Sequence, residues 1–143
     1  MFEYPVELKK DSNGTLLVTF PDVPEAITFG DTKDEALAQA ADALESALSF
    51  YVETKRDLPR ASAARKRSVV SPSPIGIAKL SLYQAMRDQK MRKSELASRL
   101  GWSLMQVDRV LDLTHESKME QLQLALGAVG KRMKIQVTDL KAA

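Results

Sequence analysis

The first thirty residues alternate between hydrophobic and polar positions with a period of two, which is typical of short strands with one buried face. This pattern predicts strands over residues 2–8, 15–20 and 26–29. The turn-forming sequence Asp-Ser-Asn-Gly separates the first two strands. Two prolines, which cannot donate a backbone hydrogen bond, separate the second strand from the third. We therefore expect a small antiparallel sheet at the amino-terminal end.

A helical period replaces this alternation. Thr32 and Glu35 have the spacing of a capping box. Six apolar residues then recur on one helical face, which is expected to cover the sheet: Leu37, Ala40, Ala41, Leu44, Leu48 and Tyr51. A further strand is predicted near residues 66–71, followed by a cluster of proline and serine. The first half of the chain therefore predicts the order β-β-β-α-β.

The second half has the pattern of short helices. Ser73-Pro74 is a typical helix start, because serine caps the first turn and proline is tolerated at the first helical position. Ser117 with Glu120 predicts the cap of a later helix that ends near Gly130.

Between these two helices, the spacing of residues 93–111 is that of a helix-turn-helix. Ala97 stands where two helices cross, Gly101 permits the turn, and Val107 returns to the core. The pattern predicts helices over Lys93–Leu100 and Ser103–Leu111, and it resembles the Cro and phage-repressor group of DNA-binding domains.

The outward positions at the start of the second helix of this pair carry groups that can read DNA bases. An amide and a guanidinium bind adenine and guanine edges in bidentate fashion, and apolar side chains contact the thymine methyl group. The residues expected to contact bases are Ser103, Leu104, Gln106 and Arg109.

Basic residues crowd the entrance to the first helix of the pair. Lys90, Arg92 and Lys93 are expected to hold DNA phosphates there. Asp108 and Asp112 would repel phosphates if they faced the backbone. Single-stranded RNA is a weaker candidate, because the basic half offers few aromatic side chains for base stacking.

The last segment, residues 131–138, again alternates apolar and polar positions, which predicts a short strand with no obvious partner. Two arrangements are open: it pairs with its copy across a two-fold axis, or it docks on the amino-terminal sheet. Repressors of this group generally bind two half-sites, which favours a homodimer formed through the carboxy-terminal domain.

These elements predict an α+β chain of two units. Residues 1–60 would form the amino-terminal module, 61–74 a strand and hinge, and 75–143 a helical domain that ends in the short strand. The charge divides at the same place: residues 1–60 carry six Lys/Arg against twelve Asp/Glu, whereas 61–143 carry fifteen against seven. An acidic module suits a basic protein partner, and a basic domain suits phosphates.

The amino-acid composition excludes several classes of functional site. The chain has no cysteine and one histidine, which excludes disulfides, cysteine-ligated zinc and a thiol nucleophile. We expect no metal, cofactor or catalytic residue, and we interpret His115 as a loop residue. The charged first residues do not resemble a signal peptide, and no apolar run approaches a membrane span, so a cytoplasmic protein is expected.

Three sequence motifs resemble those of a known family. A hairpin ending in PDVPEA, then GDTxxEALxxAxxAL, then LPRAS, is similar to the HicB antitoxins of type II toxin–antitoxin systems, over roughly residues 3–62. With the downstream helices, the chain resembles the branch of that family that carries a helix-turn-helix. The resemblance implies a partial ribonuclease-H-like fold that blocks HicA, a small basic toxin that cleaves mRNA.

The interpretation is therefore a non-enzymatic antitoxin that also represses transcription from operator DNA. Asp22 and Glu25 are candidate toxin contacts, from their charge and their predicted loop position. One alternative is a stand-alone transcription regulator whose amino-terminal module senses a small molecule. A metal-dependent nuclease is another, with carboxylates available at Asp22, Glu25, Asp31, Asp34, Glu35 and Asp42. Asp34 and Glu35 fit better as residues that interact with the helix dipole.

Overall fold

The amino-terminal strands form two antiparallel sheets in the computed structural model, which describes residues 2–140. A three-stranded sheet has the order β2-β3-β4, from Glu7–Lys10, Leu16–Thr19 and Ile27–Gly30. A two-stranded sheet pairs β1, Tyr4–Pro5, with β5, Val69–Val70. The predicted first strand is therefore divided at Val6, whose N–H donates to the Ser68 carbonyl at 2.9 Å.

Helix α1, Lys33–Glu53, covers the inner face of the three-stranded sheet. The Thr32 hydroxyl accepts from the Glu35 N–H at 3.1 Å, which is one half of the predicted capping box; the reciprocal bond to the Glu35 side chain is not formed. The buried side chains of α1 pack on strand residues that include Val18 and Phe20. Burial of the larger apolar side chains, each stabilising by roughly 1.5 to 3 kcal/mol, holds the module together.

Four shorter helices follow: α2, Pro74–Asp88; α3, Lys93–Leu100; α4, Leu104–Leu111; and α5, Met119–Ala128. The Ser73 hydroxyl caps α2 by accepting from the Gly76 N–H at 3.0 Å, as predicted. These helices enclose a second core of buried residues, among them Leu82, Leu96, Val107, Val110, Leu122 and Leu126.

The two cores are in contact through α2. Leu80 of α2 is buried in the first core, whereas Leu82 is buried in the second, and Val52 packs against both. The Glu45 carboxylate of α1 accepts from the backbone N–H of Ser73 at 2.9 Å and from its hydroxyl at 2.7 Å. Helix α1 therefore holds the first turn of α2 directly.

The start of α5 differs from the prediction. Its N-cap is Lys118, with no side-chain cap hydrogen bond, so the predicted cap formed by Ser117 with Glu120 is wrong. The Ser117 hydroxyl is instead directed at the Arg109 carbonyl, at 3.4 Å. The loop before α5 is tied to the end of α4, and the chain reaches helical geometry only at Met119.

The predicted strand at 131–138 is absent from the single chain. Residues 131–140 form no strand, and Met133 packs against the second core while Ile135 and Val137 are exposed. Docking on the amino-terminal sheet is therefore wrong: without a ladder partner, an alternating pattern alone does not fix a strand. Pairing with a second copy stays a prediction.

Candidate functional site

Helices α3 and α4 are packed as the sequence spacing predicts. Ala97 is buried, and Val107 and Val110 are fully buried. Gly101 adopts a left-handed conformation with φ of 68° at the end of α3, which glycine takes without steric cost. The turn leaves the first residues of α4 on the surface.

The candidate base contacts divide into free and occupied groups. Ser103 and Gln106 form a capping box: the Ser103 N–H donates to the Gln106 side-chain oxygen at 2.8 Å, and the Gln106 N–H donates to the Ser103 hydroxyl at 3.2 Å. Arg109 is exposed, and Leu104 is 54% exposed. Met105, omitted from the predicted set of base contacts, is 60% exposed. Of the candidate base contacts, Leu104 and Arg109 are therefore exposed, whereas the Gln106 amide oxygen is already used in the helix cap.

The candidate phosphate contacts all lie on the surface before α3 and in its first turn. Lys90 has a positive φ of 53°, and Arg92 is the N-cap of α3 without a side-chain cap hydrogen bond. Lys93 Nζ lies 2.7 Å from Asp108 Oδ1. This ion pair holds α3 to α4 and neutralises one of the two aspartates expected to repel phosphates.

A buried lysine fixes the end of α4. Lys79 of α2 is 0% exposed, and its ammonium donates to the carbonyls of Arg109 at 2.9 Å, Asp112 at 2.6 Å and His115 at 2.6 Å. Burial lowers the pKa of Lys79, while the carboxylates of Asp112 and Glu45 act in the opposite direction. Cations stabilise the carboxyl end of a helix, where carbonyls lack helical partners. Lys79 was not among the residues predicted from the sequence, although a charge on the apolar face of α2 was the available signal.

The two candidate toxin contacts have partners within the chain. Asp22 accepts from the backbone N–H of Ser62 at 2.8 Å and from its hydroxyl at 2.9 Å. Glu25 accepts from the Tyr51 hydroxyl at 2.8 Å and pairs with Arg56 at 3.6 Å. The Tyr51 hydrogen bond, more than the Arg56 charge, holds the pKa of Glu25 below its ordinary value. The loop between β3 and β4 is therefore tied by Glu25 to the end of α1 and to Arg56, and by Asp22 to the segment that follows α1.

The outer face of the three-stranded sheet, opposite α1, exposes two large apolar residues of β4 beside the charged residues Glu7 and Lys9 of β2. Thr28 pairs with the fully buried Val18, so its neighbours in β4 point to the other face. These neighbours, Ile27 and Phe29, are 58% and 64% exposed. Exposed apolar patches of this kind mark interaction sites.

The six carboxylates considered for a nuclease do not converge. Among residues 2–140, no group of three or more His, Cys, Asp or Glu side chains is placed to hold a metal ion. Within the same range, no helix has the length and apolar character needed to cross a membrane.

Comparison with known proteins identifies the family. Residues 3–78 match the family model described as HicB_like antitoxin of bacterial toxin-antitoxin system. The chain is 39% identical to Antitoxin HicB 2 of Photorhabdus laumondii over 92% of this chain and 94% of that protein. It is 35% identical to Antitoxin HicB of Escherichia coli K12, over 92% of this chain and 96% of that protein.

Among solved structures, the chain is similar to the Burkholderia pseudomallei antitoxin HicB, with 17% identity, a TM-score of 0.45, and coverage of 71% of this chain and 96% of that one. The family resemblance seen in the sequence is confirmed by the family model and the relatives, which are antitoxins and not enzymes. The chain therefore belongs to the HicB-like antitoxin family of bacterial toxin–antitoxin systems.

Proposed function

We propose that this protein neutralises a small basic toxin through its amino-terminal module, and that it represses transcription through a helix-turn-helix formed by α3 and α4. The observation that carries the proposal is that the two halves of the chain differ in net charge and in the kind of side chain that they expose. The acidic module exposes two large apolar residues on its sheet, Ile27 and Phe29, whereas the basic domain exposes the first turn of α4 beside Lys90 and Arg92. In this proposal, the amino-terminal module is a partial ribonuclease-H-like fold.

The toxin surface is the outer face of the sheet. Asp22 and Glu25 are less suited to primary toxin contacts, because their carboxylates already accept hydrogen bonds within the chain. Ile27 and Phe29 are free to become buried against a partner, and the net charge of residues 1–60 attracts a cationic protein over a longer range. The partner proposed is a HicA-like toxin that cleaves mRNA.

Co-expression with the short basic protein of the adjacent reading frame tests this role. The wild-type chain should restore growth and co-purify with that protein. Phe29→Lys, which places a cation on the proposed surface, should lose both effects. Leu124→Lys changes a similarly exposed apolar residue on α5 and should retain both effects. Retention of both effects by Phe29→Lys would move the toxin surface elsewhere on the module.

Operator DNA is the second proposed ligand. Helix α4 would enter the major groove with Arg109, Leu104 and Ser103 toward base edges, while Lys90, Arg92 and Lys93 hold phosphates. The Gln106 amide nitrogen stays available for a base, since the cap uses only its oxygen. A homodimer, formed by pairing of residues 131–138 with a second copy, would present two α4 helices to two half-sites in the cytoplasm.

Arg109→Ala and Lys93→Ala should weaken DNA binding in different ways. Loss of a bidentate base contact by Arg109→Ala should cost about 1 to 3 kcal/mol and relax preference at one base pair. Lys93→Ala should weaken binding to all sequences alike. It should also reduce the salt slope, the slope of log affinity against log salt concentration, by about one. Fluorescence anisotropy on a duplex from the promoter of its own operon, at several salt concentrations, separates the two effects. Equal loss on every sequence for both variants would contradict the base-reading role.

A further inference from the structure

An open groove of about 840 Å³ separates the start of α3 from the turn that follows α1. The helical side of the groove includes Lys90, Arg92 and Lys93, the proposed phosphate contacts. The lining also includes Lys55 and Asp57, which belong to the amino-terminal module. One groove is thus lined both by a cation of the acidic module, Lys55, and by the proposed phosphate contacts of the basic domain.

The cations of this groove differ in their pairing. Lys93 is paired with Asp108, and Arg87 is paired with Asp57 at 2.5 Å. Among residues 2–140, no carboxylate oxygen lies within 4.0 Å of the charged nitrogen atoms of Lys55, Lys90 or Arg92. Lys55 therefore shares with two proposed phosphate contacts the property of being exposed and unpaired.

The turn that carries Lys55 is clamped to α2. The Arg87 guanidinium donates to the Lys55 carbonyl at 3.1 Å and to the Asp57 carboxylate. The Tyr83 hydroxyl donates to the Arg56 carbonyl at 2.7 Å. Lys55 itself has a positive φ of 57°, a conformation that lysine adopts at a steric cost. These bonds hold the backbone that follows the Lys55 side chain, and the Lys55 N–H donates to the Val52 carbonyl at 3.1 Å on the other side, so the backbone that carries Lys55 is held within the single chain.

We propose that Lys55 contacts the phosphodiester backbone of duplex DNA, so that the amino-terminal module takes part in operator binding together with α3. This inference rests on the proposed function of α3 and α4. A lysine ammonium is a mobile point charge that binds phosphate without demanding one geometry, and each phosphate neutralised releases condensed counterions. The contact adds affinity to all sequences and does not read bases.

Three matched glycine substitutions test the proposal in the full-length chain. Lys55, Lys90 and Lys66 all have positive φ, a conformation that glycine adopts without penalty, so each variant should remain folded. Lys66 does not line the groove, which makes Lys66→Gly the matched control. The measurement is the affinity for a labelled duplex from the promoter of its own operon, across a range of salt concentrations.

Lys55→Gly and Lys90→Gly should each reduce affinity roughly fivefold and reduce the salt slope by about 0.9, whereas Lys66→Gly should match the wild type. If the wild type binds no duplex, or Lys90→Gly and Lys93→Ala both leave the slope unchanged, the proposed DNA surface itself fails. If those two variants lower the slope but Lys55→Gly behaves as Lys66→Gly, this inference alone is overturned. The inference would also be overturned if inorganic phosphate bound in the groove while Lys55→Gly bound the duplex as tightly as the wild type.

Discussion

Replacement of Lys79 by methionine should lower the free energy of unfolding by about 3 kcal/mol, because three carbonyls lose their shared donor. Methionine preserves most of the side-chain volume but cannot donate a hydrogen bond, so the carbonyls of Arg109, Asp112 and His115 would each lose the Lys79 ammonium as a donor. Removing the buried ammonium relieves its own desolvation penalty, which is why the loss is smaller than three full hydrogen bonds. Urea unfolding followed by circular dichroism measures the difference.

The matched control is another side chain of the same region that donates to the end of a different helix. Gln89, the C-cap residue of α2, donates to the Val129 carbonyl after α5 at 2.8 Å. Gln89→Ala removes one neutral, partly buried hydrogen bond and should cost about 1 kcal/mol. Equal losses for Lys79→Met and Gln89→Ala would mean that water replaces the ammonium, and that Lys79 does not fix α4.

Local patterns predicted the helices of the second half well. The boundaries of α3 follow from periodicity, and Ala97, Gly101 and Val107 occupy the places that their spacing indicates. Each of these positions depends on residues close in sequence, since helix geometry repeats every three to four residues. Such information is present in a single chain without knowledge of its tertiary contacts.

The side-chain contacts of the site were less predictable, because they depend on residues distant in sequence. The Lys79 ammonium reaches carbonyls thirty or more positions away, and the partner of Asp22 is Ser62. The capping box of Ser103 and Gln106 is an exception. Its S-x-x-Q spacing was visible in the sequence and would have shown that the Gln106 oxygen is used in the cap.

The strand predicted at 131–138 illustrates a second limit. Alternation shows which residues would share a face, but a strand also needs a hydrogen-bonding partner. In the single chain, Ile135 and Val137 find none and remain exposed. The same side chains make the segment suited to pairing with a second copy, which agrees with the proposed homodimer.

Gly30→Ala should destabilise the amino-terminal module by about 2 to 3 kcal/mol, since the first turn of α1 lies directly against the end of β4. A Cβ atom at Gly30 would lie 2.6 Å from the backbone nitrogen of Ala36 and 2.8 Å from its Cα. Both atoms belong to the helix backbone, so no rotation of a side chain relieves the overlap. The helix must shift from the sheet, and the buried contacts of Ala36 and Ala40 are disturbed.

The matched substitution lies in the other unit of the chain. Gly127 in α5 is exposed, and a Cβ atom there would meet nothing within 4 Å. Gly127→Ala should therefore stabilise the chain by about 0.5 to 1 kcal/mol, the helical preference of alanine over glycine. The midpoint temperature of thermal unfolding should fall for Gly30→Ala and rise for Gly127→Ala.

The toxin co-expression assay gives a second measurement. Gly30→Ala should reduce neutralisation while Gly127→Ala retains it, because the proposed toxin surface is built on the sheet that Gly30 joins to α1. A Gly30→Ala chain as stable as the wild type would show that α1 can retreat from β4 at little cost.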